Sequence, residues 1–222
     1  MTSRVLVFVK EPQVGRVKTR LIPALGAVGA CKLAAQLFEH TMSQLQALCR
    51  HWPTTLLGKQ GEQLQISLVV SPSIQAPYWQ QFVTSMQCDL HQQVEGDLGQ
   101  RMAAMIEPCC RNGERVVCIG TDCPDLGVAD LSLALTQLHR HDLVIRPAVD
   151  GGYVLIGLRQ FIPELFTAMP WSTATLLETS LARLPVGLSI NVGQTLRDID
   201  LPGDLTHPIV ADWLATAIVR PE

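Results

Sequence analysis

An α/β fold with a mainly parallel sheet is the architecture this sequence predicts, and three observations carry the prediction. Short, largely apolar runs rich in β-branched residues recur at 5–9, 66–70, 116–119 and 142–145. Runs of this kind suit strands covered on both faces, as in parallel sheets. Stretches with helical periodicity separate them, and alternating strands and helices mark this class. The loops just after the runs carry the unusual residues, and open parallel sheets bind ligands beyond the carboxyl ends of their strands.

Taken in order, 5–9 (VLVFV) is the first strand, and a basic loop follows it. In residues 25–49, Leu33, Leu37, Met42, Leu45 and Leu48 keep the spacing of a long amphipathic helix. The run 66–70 (ISLVV) is a second strand, ended by Ser71-Pro72. A helix over 76–86 and a weak strand within 88–94 come next. Residues 98–110 read as a helix, and 116–119 (VVCI) as a strand running into GTDCPDL. A helix at 128–139 and a strand at 142–145 precede PAVDGGYVLIGL, a glycine turn and a further strand. PWST opens a helix over 172–183, VGLSINV is the last strand, and PIVADWLATAI closes with a helix.

The 222 residues suit one domain over 1–222, and 47% apolar with 17% charged residues is a globular composition. A formal charge of −3 argues against a general nucleic-acid binder. No apolar run has the roughly 18 residues of a membrane span, and the N-terminus lacks a signal-peptide pattern. The expectation is a soluble cytoplasmic protein without a membrane span. The seven cysteines form no disulfide framework and keep no zinc-ligand spacing with the histidines, so they read as buried thiols.

The first twenty residues hold five cations and one acid, Glu11, in a chain that is acidic overall. In FVKEPQVGRVKTRL, Pro12 and Gly15 permit a tight turn, and Leu21 and Ile22 can anchor it. Lys10, Arg16, Lys18 and Arg20 are then candidate phosphate ligands, arginine as a fork and lysine as a point charge. The plain alternative is a solvated basic loop. The stretch lacks the glycine spacing of a Walker A or dinucleotide-binding loop.

In VVCIGTDCPDL a buried strand delivers Asp122 to its carboxyl end, a suitable place for a Mg²⁺ ligand. Asp125 reads as a cap for the following helix. Asp150 precedes Gly151 and Gly152, either an ordinary turn or a place where a ligand approaches the backbone. Asp97 is either the cap of the helix starting at 98 or, with Arg101, a ligand contact. Trp171 is a stacking candidate or a core residue, and Ser172 a helix cap. Among Asp198, Asp200 and Asp204, one completes a metal site and the others cap.

Together, FVKEPQVGRVKTRL, EGDLGQRM, IGTDCPDL, PAVDGGYVLIGL, PWST and RDIDLPGDL occur in the order found in a bacterial family of glycosyltransferase-A-like proteins. The chain resembles that family, within the nucleotide-diphospho-sugar transferase superfamily. It resembles more loosely the guanylyltransferases of molybdopterin and of 2-phospho-L-lactate. The resemblance implies a three-layer α/β/α sandwich with a mainly parallel mixed sheet. It also implies a nucleotide over the first loop and a divalent metal near Asp122. The glycine-rich first loop and the Asp-x-Asp of the better-known relatives are absent here.

The expectation is a transferase that uses a nucleotide or nucleotide sugar and Mg²⁺ or Mn²⁺. It moves a glycosyl or nucleotidyl group to a small-molecule acceptor. The alternative is a non-catalytic nucleotide-binding protein that keeps the fold. Asp122, Asp150 and Lys18 are the candidate catalytic residues, and Asp122 and Asp200 the candidate metal ligands. Lys10, Gly15, Arg16, Lys18, Thr19, Arg20, Asp97 and Arg101 are the candidate nucleotide contacts. Gly151, Gly152, Tyr153, Trp171 and Ser172 are the candidate acceptor contacts.

Overall fold

A computed structural model describes residues 2–52 and 62–218. It contains strands β1 (Thr2–Lys10), β2 (Gln63–Ser71), β3 (Asp89–Gln92), β4 (Arg115–Ile119), β5 (Leu143–Pro147), β6 (Tyr153–Leu158) and β7 (Ile190–Val192). Its helices are α1 (Ile22–His51), α2 (Gln80–Met86), α3 (Leu98–Arg111), α4 (Val128–Gln137), α5 (Leu176–Ala182) and α6 (Pro208–Ile218). The strands form one sheet in the order β3-β2-β1-β4-β6-β5-β7. Only β6 runs antiparallel to its neighbours.

Strand side chains alternate between two cores. Val5, Val7 and Val9 of β1 join Val117 and Ile119 of β4 against Phe38, Met42, Leu45 and Leu48 of α1 and Leu131 and Leu135 of α4. Leu6 of β1 joins Val116 and Cys118 of β4 against Met102 and Ile106 of α3, with Leu177 and Leu181 of α5 packed alongside. Both faces of the sheet are therefore covered, which gives the expected three layers and explains why the strand runs are mostly apolar on both faces. Leu33 and Leu37 of α1 meet Val210 of α6 and the fully buried Ile199 in a third cluster.

With the turn before it, α1 is long and apolar enough by composition to cross a membrane. It instead joins two neighbouring parallel strands, β1 and β2, and packs back onto their sheet. The seven cysteines are free thiols, and among the described residues no three His, Cys, Asp or Glu side chains converge as a metal cluster.

The sheet pairing positions the site. β1 and β4 are parallel neighbours with Val7 opposite Ile119, so the loops after them leave from the same edge. The chain after β7 runs across that edge. Leu196 bridges Ala148 beyond β5, and the Ile199 amide donates to the Asp122 carbonyl at 2.8 Å beyond β4. Residues far apart in sequence, 10–22, 120–126 and 196–204, thus meet at one place.

Candidate functional site

A cavity of about 510 Å³ opens at this edge. Its lining includes Lys10, Arg16, Lys18, Arg20 and Arg101, and only two carboxylates, Asp122 and Asp200. Five cations around one cavity in a chain of charge −3 give its lining a positive balance over the two carboxylates.

The basic loop has a definite shape. Gly15 (φ 77°) and the bond from the Arg16 amide to the Gln13 carbonyl (3.0 Å) make the turn. Lys10 Nζ donates to the Arg16 carbonyl at 2.8 Å and braces it. Val17 and Leu21 are buried and pin the loop to the body, as expected for Leu21. Arg16, Thr19 and Arg20 remain exposed on the cavity side.

Lys18 stands apart from these. Its backbone is left-handed (φ 45°, ψ 42°), a conformation that costs a non-glycine residue about 1–2 kcal/mol. Its ammonium is held by Asp122 Oδ1 at 2.7 Å, Asp200 Oδ1 at 2.9 Å and the Ile199 carbonyl at 2.6 Å. The Lys18 side chain is 7% exposed, against 50% for Asp122 and 41% for Asp200. Burial alone would lower its pKa, but the charges of Asp122 and Asp200 outweigh that, and the shift is upward.

The carboxylates are fixed from behind. Asp204 Oδ2 accepts from the amides of Asp200 (3.0 Å) and Leu201 (2.7 Å), and Arg197 donates to its other oxygen. Asp198 is pushed up to about 6, first by burial and then by the charges of Asp150, Asp200 and Asp122. Four carboxylates thus share a neighbourhood, Lys18 pairs with two of them, and Arg20 Nη1 lies 3.8 Å from Asp200. Asp122 Oδ1, Asp200 Oδ1 and the Ile199 carbonyl converge on one point and are all oxygens, a donor set that suits Mg²⁺ with phosphate and water completing its shell.

Arg101 is placed by a residue that no motif pointed to. Gln93, just past β3, donates to the carbonyls of Val69 (2.9 Å) and Val9 (3.3 Å), and its Oε1 accepts from Arg101 Nη1 at 3.1 Å. Asp97 caps α3 in a reciprocal box with Gln100 and does not line the cavity. Ser71, Thr121 and Phe8 also line it, though none of them is among the candidate contacts expected from the sequence.

A second cavity of about 160 Å³ shares Phe8, Leu98 and Gly120 with the first and is lined mainly by apolar groups. Tyr153 and Trp171 line it, with ring centroids 6.5 Å apart. Trp171 Nε1 is buried and has no hydrogen-bond partner among the described residues. The indole lies so close to Gly99 that a Cβ there would meet it at 2.8 Å. Ser172 lines the first cavity but caps no helix. It sits at φ 61°, and α5 begins at Leu176. Asp125 does not cap α4 either, because Gly127 holds that position and Asp125 pairs with His207 Nε2 at 3.0 Å.

Asp150, Gly151 and Gly152 line neither cavity. Asp150 Oδ1 accepts from the Gly152 amide at 2.9 Å, closing the turn. Gly151 (φ 90°) packs against the Ala174 backbone, where a Cβ would collide.

The expected superfamily resemblance is borne out. A candidate nucleotide-diphospho-sugar transferase from Desulfovibrio desulfuricans G20 is 26% identical, with a TM-score of 0.75 over 99% of this chain and 97% of that one. The 4-diphosphocytidyl-2C-methyl-D-erythritol synthase of Anaerococcus prevotii (10% identity, TM-score 0.56, 96% of each chain) shares the fold. So does a nucleotidyl transferase of Methanothermobacter (15%, TM-score 0.52, 97% of this chain and 99% of that one). No protein of curated function matches the chain significantly. Residues 55–173, more than half of the sequence, match the family described as uncharacterized proteins conserved in bacteria (DUF2064), and the chain belongs to that family.

Proposed function

We propose that this chain is a divalent-metal-dependent transferase that takes its donor group from a nucleotide or nucleotide sugar. The observation that carries this reading is the cavity that sets Lys10, Arg16, Arg20 and Arg101 around Asp122 and Asp200 at the carboxyl edge of the sheet. The likeness to a candidate nucleotide-diphospho-sugar transferase supports it. Several cations beside two carboxylates match a polyphosphate that arrives with its metal.

In this reading Arg16, Arg20 and Arg101 bind phosphate oxygens, and Lys10 holds the loop in shape. Asp122 and Asp200 are the ligands for Mg²⁺ or Mn²⁺, which when bound neutralises the phosphate charge that grows as the bond to the leaving group breaks. The arginines add fixed positive charge at the same place. The cation density favours transfer of a nucleotidyl group, which releases pyrophosphate, over transfer of a glycosyl group. The acceptor enters from the smaller cavity, where Tyr153 and Trp171 provide an apolar wall and the indole N–H offers a hydrogen bond.

A thermal-shift screen of nucleoside triphosphates and nucleotide sugars, with and without Mg²⁺ or Mn²⁺, tests the reading. A ligand at about 100 times its dissociation constant stabilises by about 2.7 kcal/mol. A metal-dependent shift followed by turnover of the same nucleotide supports a transferase. Binding without turnover for any acceptor supports the non-catalytic alternative, and no shift with any nucleotide removes both.

A further inference from the structure

We infer that Lys18 is an exchangeable occupant of the metal position: its ammonium fills the oxygen cage of Asp122, Asp200 and Ile199 until a divalent cation displaces it. The inference rests on Asp122 and Asp200 being the metal ligands, as proposed above.

Three features of the geometry support exchange over a permanent ion pair. The three oxygens stand 2.6–2.9 Å from the ammonium nitrogen, hydrogen-bond lengths that converge on one point, and they need to close in by several tenths of an ångström each to ligate a divalent cation there. The two carboxylates are about half exposed and line the cavity, so a cation arriving with phosphate reaches them from the open side. Lys18 approaches from the buried side and also lines the cavity, so its ammonium can swing toward phosphate without unfolding the loop.

The charge balance favours the exchange. Asp122 and Asp200 bring two negative charges to within 2.7 and 2.9 Å of the ammonium. One buried ammonium, with the exposed Arg20 3.8 Å from Asp200, balances them, and a divalent cation brings twice the ammonium's charge to the same oxygens. The left-handed backbone of Lys18 adds a conformational cost that the ion pairs offset. Losing them to a metal leaves the residue free to relax.

The consequence is order of binding. Metal alone must compete with an internal lysine and binds weakly. Metal with nucleotide offers Lys18 a new anionic partner, the phosphate, and the exchange becomes favourable. The site then assembles its metal only when the donor is present.

The test is Mn²⁺ binding without nucleotide, followed by the paramagnetic resonance signal of the free ion. Lys18→Met keeps the side-chain length and removes the charge. Competing ligands coupled through one site change each other's affinity about 5–150-fold, so Lys18→Met should bind Mn²⁺ at least about fivefold more tightly than the unmodified protein. Equal or weaker binding overturns the exchange. Adding Asp122→Asn to Lys18→Met should abolish the gain. If the gain persists, the carboxylates are not the ligands and the parent reading fails with it. If the variant does not fold, amine acetylation of the unmodified protein read by mass spectrometry decides the matter. Lys18 should be protected without metal and labelled several-fold faster in saturating Mn²⁺ without nucleotide, which displaces the ammonium and gives it no phosphate partner. Protection that Mn²⁺ leaves unchanged overturns the inference.

Discussion

The Lys18 ammonium lies 2.7 Å from the nearer carboxylate oxygen of Asp122, and this contact ties the loop after β1 to the loop after β4. The two strands are hydrogen-bonded neighbours, so the contact spans a gap that the sheet already holds short. Lys18 was expected among the phosphate ligands and Asp122 among the metal ligands. In the structure each is the other's partner, so the two proposed roles meet in one pair of side chains.

Arg16 is exposed on the cavity side of the loop, so it is expected to act on ligand and not on the fold. Arg16→Ala should leave thermal stability nearly unchanged. It should weaken nucleotide binding by roughly 1.5–3 kcal/mol, the usual worth of a charged hydrogen bond. Calorimetric titration at two salt concentrations measures both the loss and a reduced salt dependence.

Gln93 joins the ends of β1 and β2 to Arg101. Gln93→Leu leaves two strand carbonyls without that donor and frees the guanidinium. Stability should fall by about 1–3 kcal/mol in urea unfolding, and nucleotide affinity should fall several-fold. Loss of affinity without loss of stability would make Gln93 a direct ligand instead.

Gly99 sits where the Trp171 ring and the Phe166 carbonyl close onto α3. Gly99→Ala adds one methyl with no room and should destabilise by about 1–3 kcal/mol as the indole moves. Trp171 also lines the smaller cavity, so the same variant should alter tryptophan fluorescence.

Cys123 is buried next to Asp122, and burial pushes its thiol up to about 12, while burial also raises Cys118 strongly. Thiolate is the reactive form, so at pH 8 both should resist a disulfide reagent until denaturant is added. Prompt modification of Cys123 in the native protein would show that the loop after β4 opens.

Much of the fold was legible because burial on both faces leaves a simple trace. The runs at 5–9, 66–70 and 116–119 lie within strands of the sheet, 142–145 overlaps β5 from Leu143, and the Asp97-x-x-Gln100 pattern is a helix cap. The site was legible where one short segment holds its residues, as with Lys10, Arg16, Lys18 and Arg20. What stayed hidden were partnerships between distant segments. His207 claims Asp125 across 82 positions, so the cap expected at Asp125 falls to Gly127. Asp200 reaches Lys18 across 182 positions. Gln93 belongs to no motif and matters only because β3, β2 and β1 end side by side. Ser172 reads as a cap by residue type, but the chain turns left-handed there and delays the helix to Leu176.

Calorimetric titration of the best-binding nucleoside triphosphate tests the metal-dependent phosphate site most directly. The unmodified protein and the double variant Asp122→Asn, Asp200→Asn are compared in Mg²⁺ and in EDTA. The expected result is affinity in Mg²⁺ at least about tenfold higher for the unmodified protein, or about 1.4 kcal/mol, with the difference gone in EDTA. The same affinity for both proteins in both conditions would contradict a metal held by Asp122 and Asp200.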